Sequence, residues 1–118
     1  MVRNNTMKTT LATAYKGAAV YGALFSSDPG TTGTVTGEIT GGAPAYARVS
    51  ASWGTVTNGV VSTGGMAFNV ASGTTVTYFG VTTSGTATTA DLQDSVAVTS
   101  QAFASQGTYT VTATYTQS

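Results

Sequence analysis

The chain contains no cysteine and no histidine. The first absence excludes disulfides and thiol chemistry, and it leaves no redox clue to compartment. Together the two remove the usual ligands of zinc, copper and haem and the commonest general base at neutral pH. Charge is nearly as scarce. Lys, Arg, Asp and Glu make up 7% of the 118 residues, where a typical globular protein has roughly 25%. Four cations balance four acids, for a formal net charge of zero. Arg3, Lys8, Lys16 and Arg48 form no run, so neither a phosphate-tracking surface nor a nucleic-acid partner is expected. With little repulsion to keep copies apart, association is expected. Apolar runs are short too. In residues 1–25, Tyr15 and Lys16 interrupt what would be the core of a signal peptide, and no stretch suits a membrane span. A cytoplasmic product, without a membrane partner, is the expectation.

What the chain does contain is Thr, Ser, Gly and short β-branched or aromatic runs, at a length that suits one domain. Residues 1–17 read as a polar arm followed by a short helix, capped by Asn5 or Thr6 and running to about Lys16, with Met7, Leu11, Ala14 and Tyr15 on one face. Residues 18–118 read as a β domain. In the run AAVYGALF both alternating faces are apolar, as in a strand covered on both sides. Ser27-Asp28-Pro29-Gly30 is turn chemistry, and a long Gly/Thr loop follows to Gly42, held down by Val35 and Ile39.

Residues 45–53 alternate, with Ala47, Val49, Ala51 and Trp53 expected inward and Tyr46, Arg48, Ser50 and Ser52 outward. Asn58-Gly59 predicts a hairpin between 53–57 and 60–63. Met66, Phe68 and Val70 make an inward face, and TTVTYFGVTT reads as a central strand. Residues 86–94 read as a loop anchored by Leu92, 95–100 as a short strand, and Phe103 as part of a connector. In residues 108–116, Tyr109, Val111, Ala113 and Tyr115 alternate with threonines as one strand. The fold class is therefore mainly β: a single sandwich, Ig-like or jelly-roll-like, or a barrel, of about six to seven short antiparallel strands, preceded by a short arm and helix.

Catalytic chemistry has no motif to stand on. There is no G-x-S-x-G elbow and no S-x-x-K pair, and a non-enzymatic role is expected. The glycine-rich stretch 30–42 lacks a G-K-[ST] ending and does not lead into a helix, so it is read as a loop and not a phosphate cradle. Asp28 with Glu38, and Asp91 with Asp94, are pairs that would supply calcium ligands, but neither has calcium-loop spacing, and turn or capping roles are expected. No metal or cofactor is expected. The candidate contacts to a partner are Arg3, Asn4 and Asn5 in the arm, as a tether, and Tyr46 with Arg48, residue types enriched in interfaces. Trp53 is read as core.

One stretch carries a resemblance. The ordered set L-F-S-S-D-P-G-x-x-G, Glu38, Ile39-Thr40-Gly41-Gly42, Tyr46-x-Arg48 and Trp53-Gly54, continued by G-M-A-F-N-V-A-S-G-T-T-V-T-Y-F-G, resembles small structural proteins of tailed bacteriophages across residues 24–80. These are often called tail fibre proteins, and some look like capsid decoration or cement proteins. The resemblance implies a virion protein on the outer head surface, an oligomer of itself, by that likeness a trimer, which reinforces contacts between major capsid subunits. The chain lacks the repeats or triple-helical texture of a long fibre shaft. A tail module that recognises host glycans through outward Tyr and Asn is the alternative. A secreted bacterial β-sandwich adhesin is a third reading.

Overall fold

The computed structural model describes residues 3–86 and 90–118. A single helix, α1 (Asn5–Ala18), opens the chain. Its cap is Asn4, one residue earlier than expected: the side-chain oxygen accepts the Met7 amide at 3.0 Å and so satisfies a backbone donor that the helix cannot. The helix also runs through Gly17, and Ala19 closes it by donating its amide N–H to the Tyr15 carbonyl at 2.9 Å. The packed face is rotated from the expected one. Ala12 is buried and Lys8, Leu11 and Tyr15 are half-buried, while Met7 is 49% exposed. The rotation follows from what the helix meets. A Cβ on Gly59 would lie 2.7 Å from the Lys8 Cβ, so the turn at 58–59 sits against the Lys8 stem.

Eight strands follow: β1 (Tyr21–Phe25), β2 (Val49–Ser50), β3 (Val60–Ser62), β4 (Met66–Val70), β5 (Thr74–Thr82), β6 (Leu92–Phe103), β7 (Gly107–Val111) and β8 (Thr114–Thr116). All pairings are antiparallel. One sheet has the order β2-β1-β5-β6, and two small sheets pair β3 with β8 and β4 with β7. The fold is thus mainly β, in three small sheets that do not close into a barrel. The last two sheets lie end to end along one ribbon. Across the break between them, the Thr63 amide donates to the Ala113 carbonyl at 2.9 Å, and the Ala113 amide donates to Thr63 Oγ1 at 3.0 Å.

The core fills the space between sheet and ribbon. Leu24, Val76, Phe79 and Val81 of the sheet meet Met66, Phe68 and Val70 of β4, with Ala19 and Ile39 completing the cluster. A smaller cluster of Ala23, Phe25 and Leu92 lies apart from it, with Val35 and Tyr78 against it. Strand β1 therefore divides its side chains between two cores, as its doubly apolar pattern predicts. Glycine permits the close approach on each side. A Cβ on Gly22 would meet Met66 Sδ at 2.9 Å and Phe68 and Phe79 ring carbons at 3.0 Å, and one on Gly80 would meet Leu92 and Phe25 at 2.7 and 2.8 Å.

Three expectations are corrected. Residues 45–53 supply only the two-residue β2, plus isolated bridges from Ala45 to Gly42 and from Trp53 to Thr63. Strand β6 is twelve residues long and absorbs both Leu92 and Phe103, and residues 87–89 of the loop before it lie outside the described residues. The C-terminal run is split into β7 and β8, although its alternation persists unbroken: every Thr from 108 to 116 is exposed and every apolar partner is half-buried.

Candidate functional site

The densest polar construction in the fold centres on Arg48, which is only 8% exposed. Its guanidinium forks onto Glu38: Nε donates to Oε2 and Nη2 to Oε1, each at 2.8 Å. The remaining edge turns to the segment after β5. Nη1 donates to Asp91 Oδ2, to the Ser84 and Thr86 carbonyls, each at 2.9 Å, and to Thr82 Oγ1 at 3.3 Å. Asp91 Oδ2 also accepts the Ser84 amide at 3.1 Å. Glu38 Oε2 takes a further bond of 2.7 Å from the Tyr46 hydroxyl, whose oxygen accepts the Leu24 amide at 3.1 Å. One cation therefore ties the 26–42 loop, the 82–91 segment and, through Tyr46, strand β1.

Electrostatics follow from that geometry. The hydrogen bonds to Glu38 push the Arg48 pKa above its ordinary value, against the opposing effect of burial. Burial raises the Tyr46 pKa well above the usual tyrosine range, and its bond to Glu38 raises it further, with the Leu24 amide and Arg48 opposing. Tyr15 is displaced in the same direction, first by burial and then by the 2.8 Å bond its hydroxyl donates to Asp94. At neutral pH Arg48 is charged and both tyrosines are protonated.

A second feature is an apolar groove of about 440 Å³ where sheet and ribbon diverge. Phe79, Val81, Val96 and Val98 form one wall, and Val111, Ala113 and Tyr115 form the other. Tyr15 and Trp53 close one end. Their rings meet edge to face at 5.9 Å, and Tyr15 stacks on Tyr115 at 3.7 Å. The Trp53 indole donates to the Ala19 carbonyl at 2.7 Å. Trp53 is thus half-buried, packed on the main core and also at the groove wall.

The candidate contact residues fall into two separate places. Arg3, Asn4 and Asn5 are all exposed at the start of the helix, and Arg3 Nη1 donates to the Ser118 carbonyl at 2.7 Å. Tyr46 and Arg48 belong to the buried centre. Their expected outward orientation is overturned, and it is Ala47 that faces solvent. The pattern correctly separates Arg48 from Val49, but alternation reports which residues share a face, not what covers it. The covering loops carry Glu38 and Asp91. Sequence reasoning paired each of those acids with its nearest acidic neighbour and missed that both serve Arg48. A signal was present: Arg48 is the only cation after Lys16, so a buried acid in the β domain has no other cationic side chain from that domain to meet.

Asp28 plays the expected turn role, its Oδ1 accepting the Gly30 amide at 2.8 Å. Asp94 Oδ1 accepts the Ser95 amide at 2.9 Å. Among the described residues no group of three or more His, Cys, Asp and Glu side chains converges as a metal site would require, and no helix is long and apolar enough to cross a membrane. In comparisons with known proteins the chain matches no family model, no curated protein and no solved structure.

Proposed function

We propose that the chain is a non-catalytic structural protein of a tailed-phage particle, which binds the outer head surface as an oligomer of itself and reinforces contacts between major capsid subunits. The observation that carries the assembly part is β6. It is twelve residues long, lies at the edge of its sheet, is mostly exposed and contains one charge, Asp94. Soluble proteins blunt such edges with lysine, proline or a covering element. An edge with a single charge suits a chain that spends its working life against other protein. The exposed threonines of residues 108–116 offer a second neutral surface. The particle itself, its head surface and three-fold symmetry come from the resemblance over residues 24–80.

The test is reconstitution. Purified chain mixed with mature heads that lack it is expected to co-sediment at saturable copy number and to raise the temperature at which the heads release their genome. Tagged particles viewed by electron microscopy are expected to carry label over the head. Label confined to the tail would reject the head-surface role in favour of the tail module, and a chain that neither self-associates nor binds heads would end the reading altogether.

A further inference from the structure

We infer that two copies of the chain pair antiparallel through β6, about a two-fold axis at Val96. This rests on the reading that the chain assembles with itself, and it names the surface. Among the described residues no strand pairs with the outer edge of β6; on that side the Leu92 amide is met by the Gly33 carbonyl at 3.0 Å and the Ser95 amide by the neighbouring Asp94 Oδ1 at 2.9 Å.

The backbone hydrogen bonds decide which residues face outward. Thr82 gives its carbonyl to the Val20 amide, on the β1 side, and Thr83 donates its amide to the Asp91 carbonyl, on the β6 side. In an antiparallel ladder this direction alternates along the strand. Odd-numbered residues of β5 therefore bond toward β6, so Phe79 with Val96 and Val81 with Asp94 are the bonded pairs. Ser95 and Ala97 consequently turn their amides and carbonyls to the open edge.

A second copy meets that edge on matching terms. In a two-fold antiparallel pair each residue must face one on the same side of the extended sheet, which restricts pairing to residues of equal parity. Centring the axis on Val96 sets Ser95 opposite Ala97 of the other copy, so that outward amides meet outward carbonyls on both sides of the axis, the Ser95 amide exchanging its bond to the exposed Asp94 Oδ1 for the other copy's Ala97 carbonyl. It sets Val96 opposite its own counterpart. Val96 is 57% exposed, the most exposed large apolar side chain among the described residues, and it lies at the groove wall. Each copy's Val96 would cover the mouth of the other's groove. The strand's one charge does not oppose the contact, because this register keeps the two Asp94 side chains about 14 Å apart along the strands. The axis lies within the regular stretch of β6, Asp94 to Ala97 opposite Val81 to Tyr78, which has a register shift on either side of it. Pairing of this kind joins copies in twos. A three-fold contact elsewhere on the surface would combine with it to give six.

The absence of cysteine makes the register directly testable. In Val96→Cys the two new thiols would sit on Cα atoms about 4.5 Å apart, within the roughly 4.4–6.8 Å range of a disulfide. In Ala97→Cys the separation is about 8 Å with this register, and in Ser100→Cys it is larger still. Both control sites are exposed. Mild oxidation is expected to convert Val96→Cys to covalent dimer at least about tenfold faster than either control. Sedimentation velocity is expected to find pairs for the wild-type chain, and Val96→Lys, which sets two ammonium groups on the axis, is expected to weaken pairing more than about tenfold while leaving the circular dichroism spectrum unchanged. A wild-type chain that is monomeric at high micromolar concentration overturns the pairing, and binding to heads is then judged separately. An oligomer that survives Val96→Lys, or that cross-links equally at all three positions, overturns the β6 contact and leaves self-association standing.

Discussion

Arg48 shows most plainly what a side chain costs and returns in this protein. Burying a guanidinium is unfavourable unless its donors are met, and here both carboxylates, three of whose bonds are at 2.8–2.9 Å, lie outside the eight strands and the helix. Removing the cation leaves Glu38 and Asp91 close together without it. Arg48→Met is therefore expected to lower stability by about 3–5 kcal/mol in urea unfolding, and Arg48→Lys by less, since the charge remains and the fork is lost. The tyrosines give a pH dependence of definite sign. Tyr46 and Tyr15 hold their protons more tightly in the folded state than in the unfolded one. Above a pH of about 10, the ordinary tyrosine value, the unfolded chain loses these protons first, so it binds fewer protons than the folded chain and stability falls as pH rises. Below that value the two groups contribute no slope. Denaturation midpoints between pH 8 and pH 11 are expected to fall in the upper part of that range, and less steeply in Tyr46→Phe. None of this was legible from local sequence. Glu38 is ten residues from Arg48 and Asp91 is 43 away, and no pattern links them.

At the scale of elements, legibility tracks contrast between neighbouring residues. The hairpin at 58–59 was readable because its turn demands positive φ at both central positions, and Asn58 and Gly59 adopt 50° and 83°. Thr57 and Val60 exchange backbone bonds of 2.9 Å around it. Gly59→Ala is expected to cost more than about 1 kcal/mol, seen as a lowered melting temperature, because the added methyl is strained by that φ and would also press on Lys8 and the Gln117 carbonyl. Strands β4 and β5 were readable for a related reason: Met66, Phe68 and Val70 are all buried in strict alternation, and β5 is apolar on both faces and does lie between two neighbours. Strand β6 was not. Its Gln, Ser, Thr and Ala residues offer no contrast between faces, since most of both faces is exposed, and only its middle was recognised. The break between β7 and β8 left no mark either, because the alternation continues through Thr112 and Ala113 while the pairing partner changes.

At the scale of the molecule, the body measures 48 × 27 × 23 Å, with the helix docked against β3 and both described ends of the chain joined through Arg3 and Ser118. The mainly β class was legible in the turns and alternation, whereas the division into three sheets was not, since it depends on which distant strands pair. The Arg48 centre has a consequence for how that arrangement is reached. During collapse the guanidinium can abandon water without loss only when the 26–42 loop and the 82–91 segment have both arrived in register. A compact but mis-threaded chain that buries Arg48 with one carboxylate missing, or with neither, is penalised by several kcal/mol. In a chain whose Thr- and Gly-rich strands are chemically so alike, a strand slipped along its neighbour would otherwise go almost unnoticed. One charged residue thus acts as a proofreader of threading, separating the native pairing from its near-copies on the folding landscape.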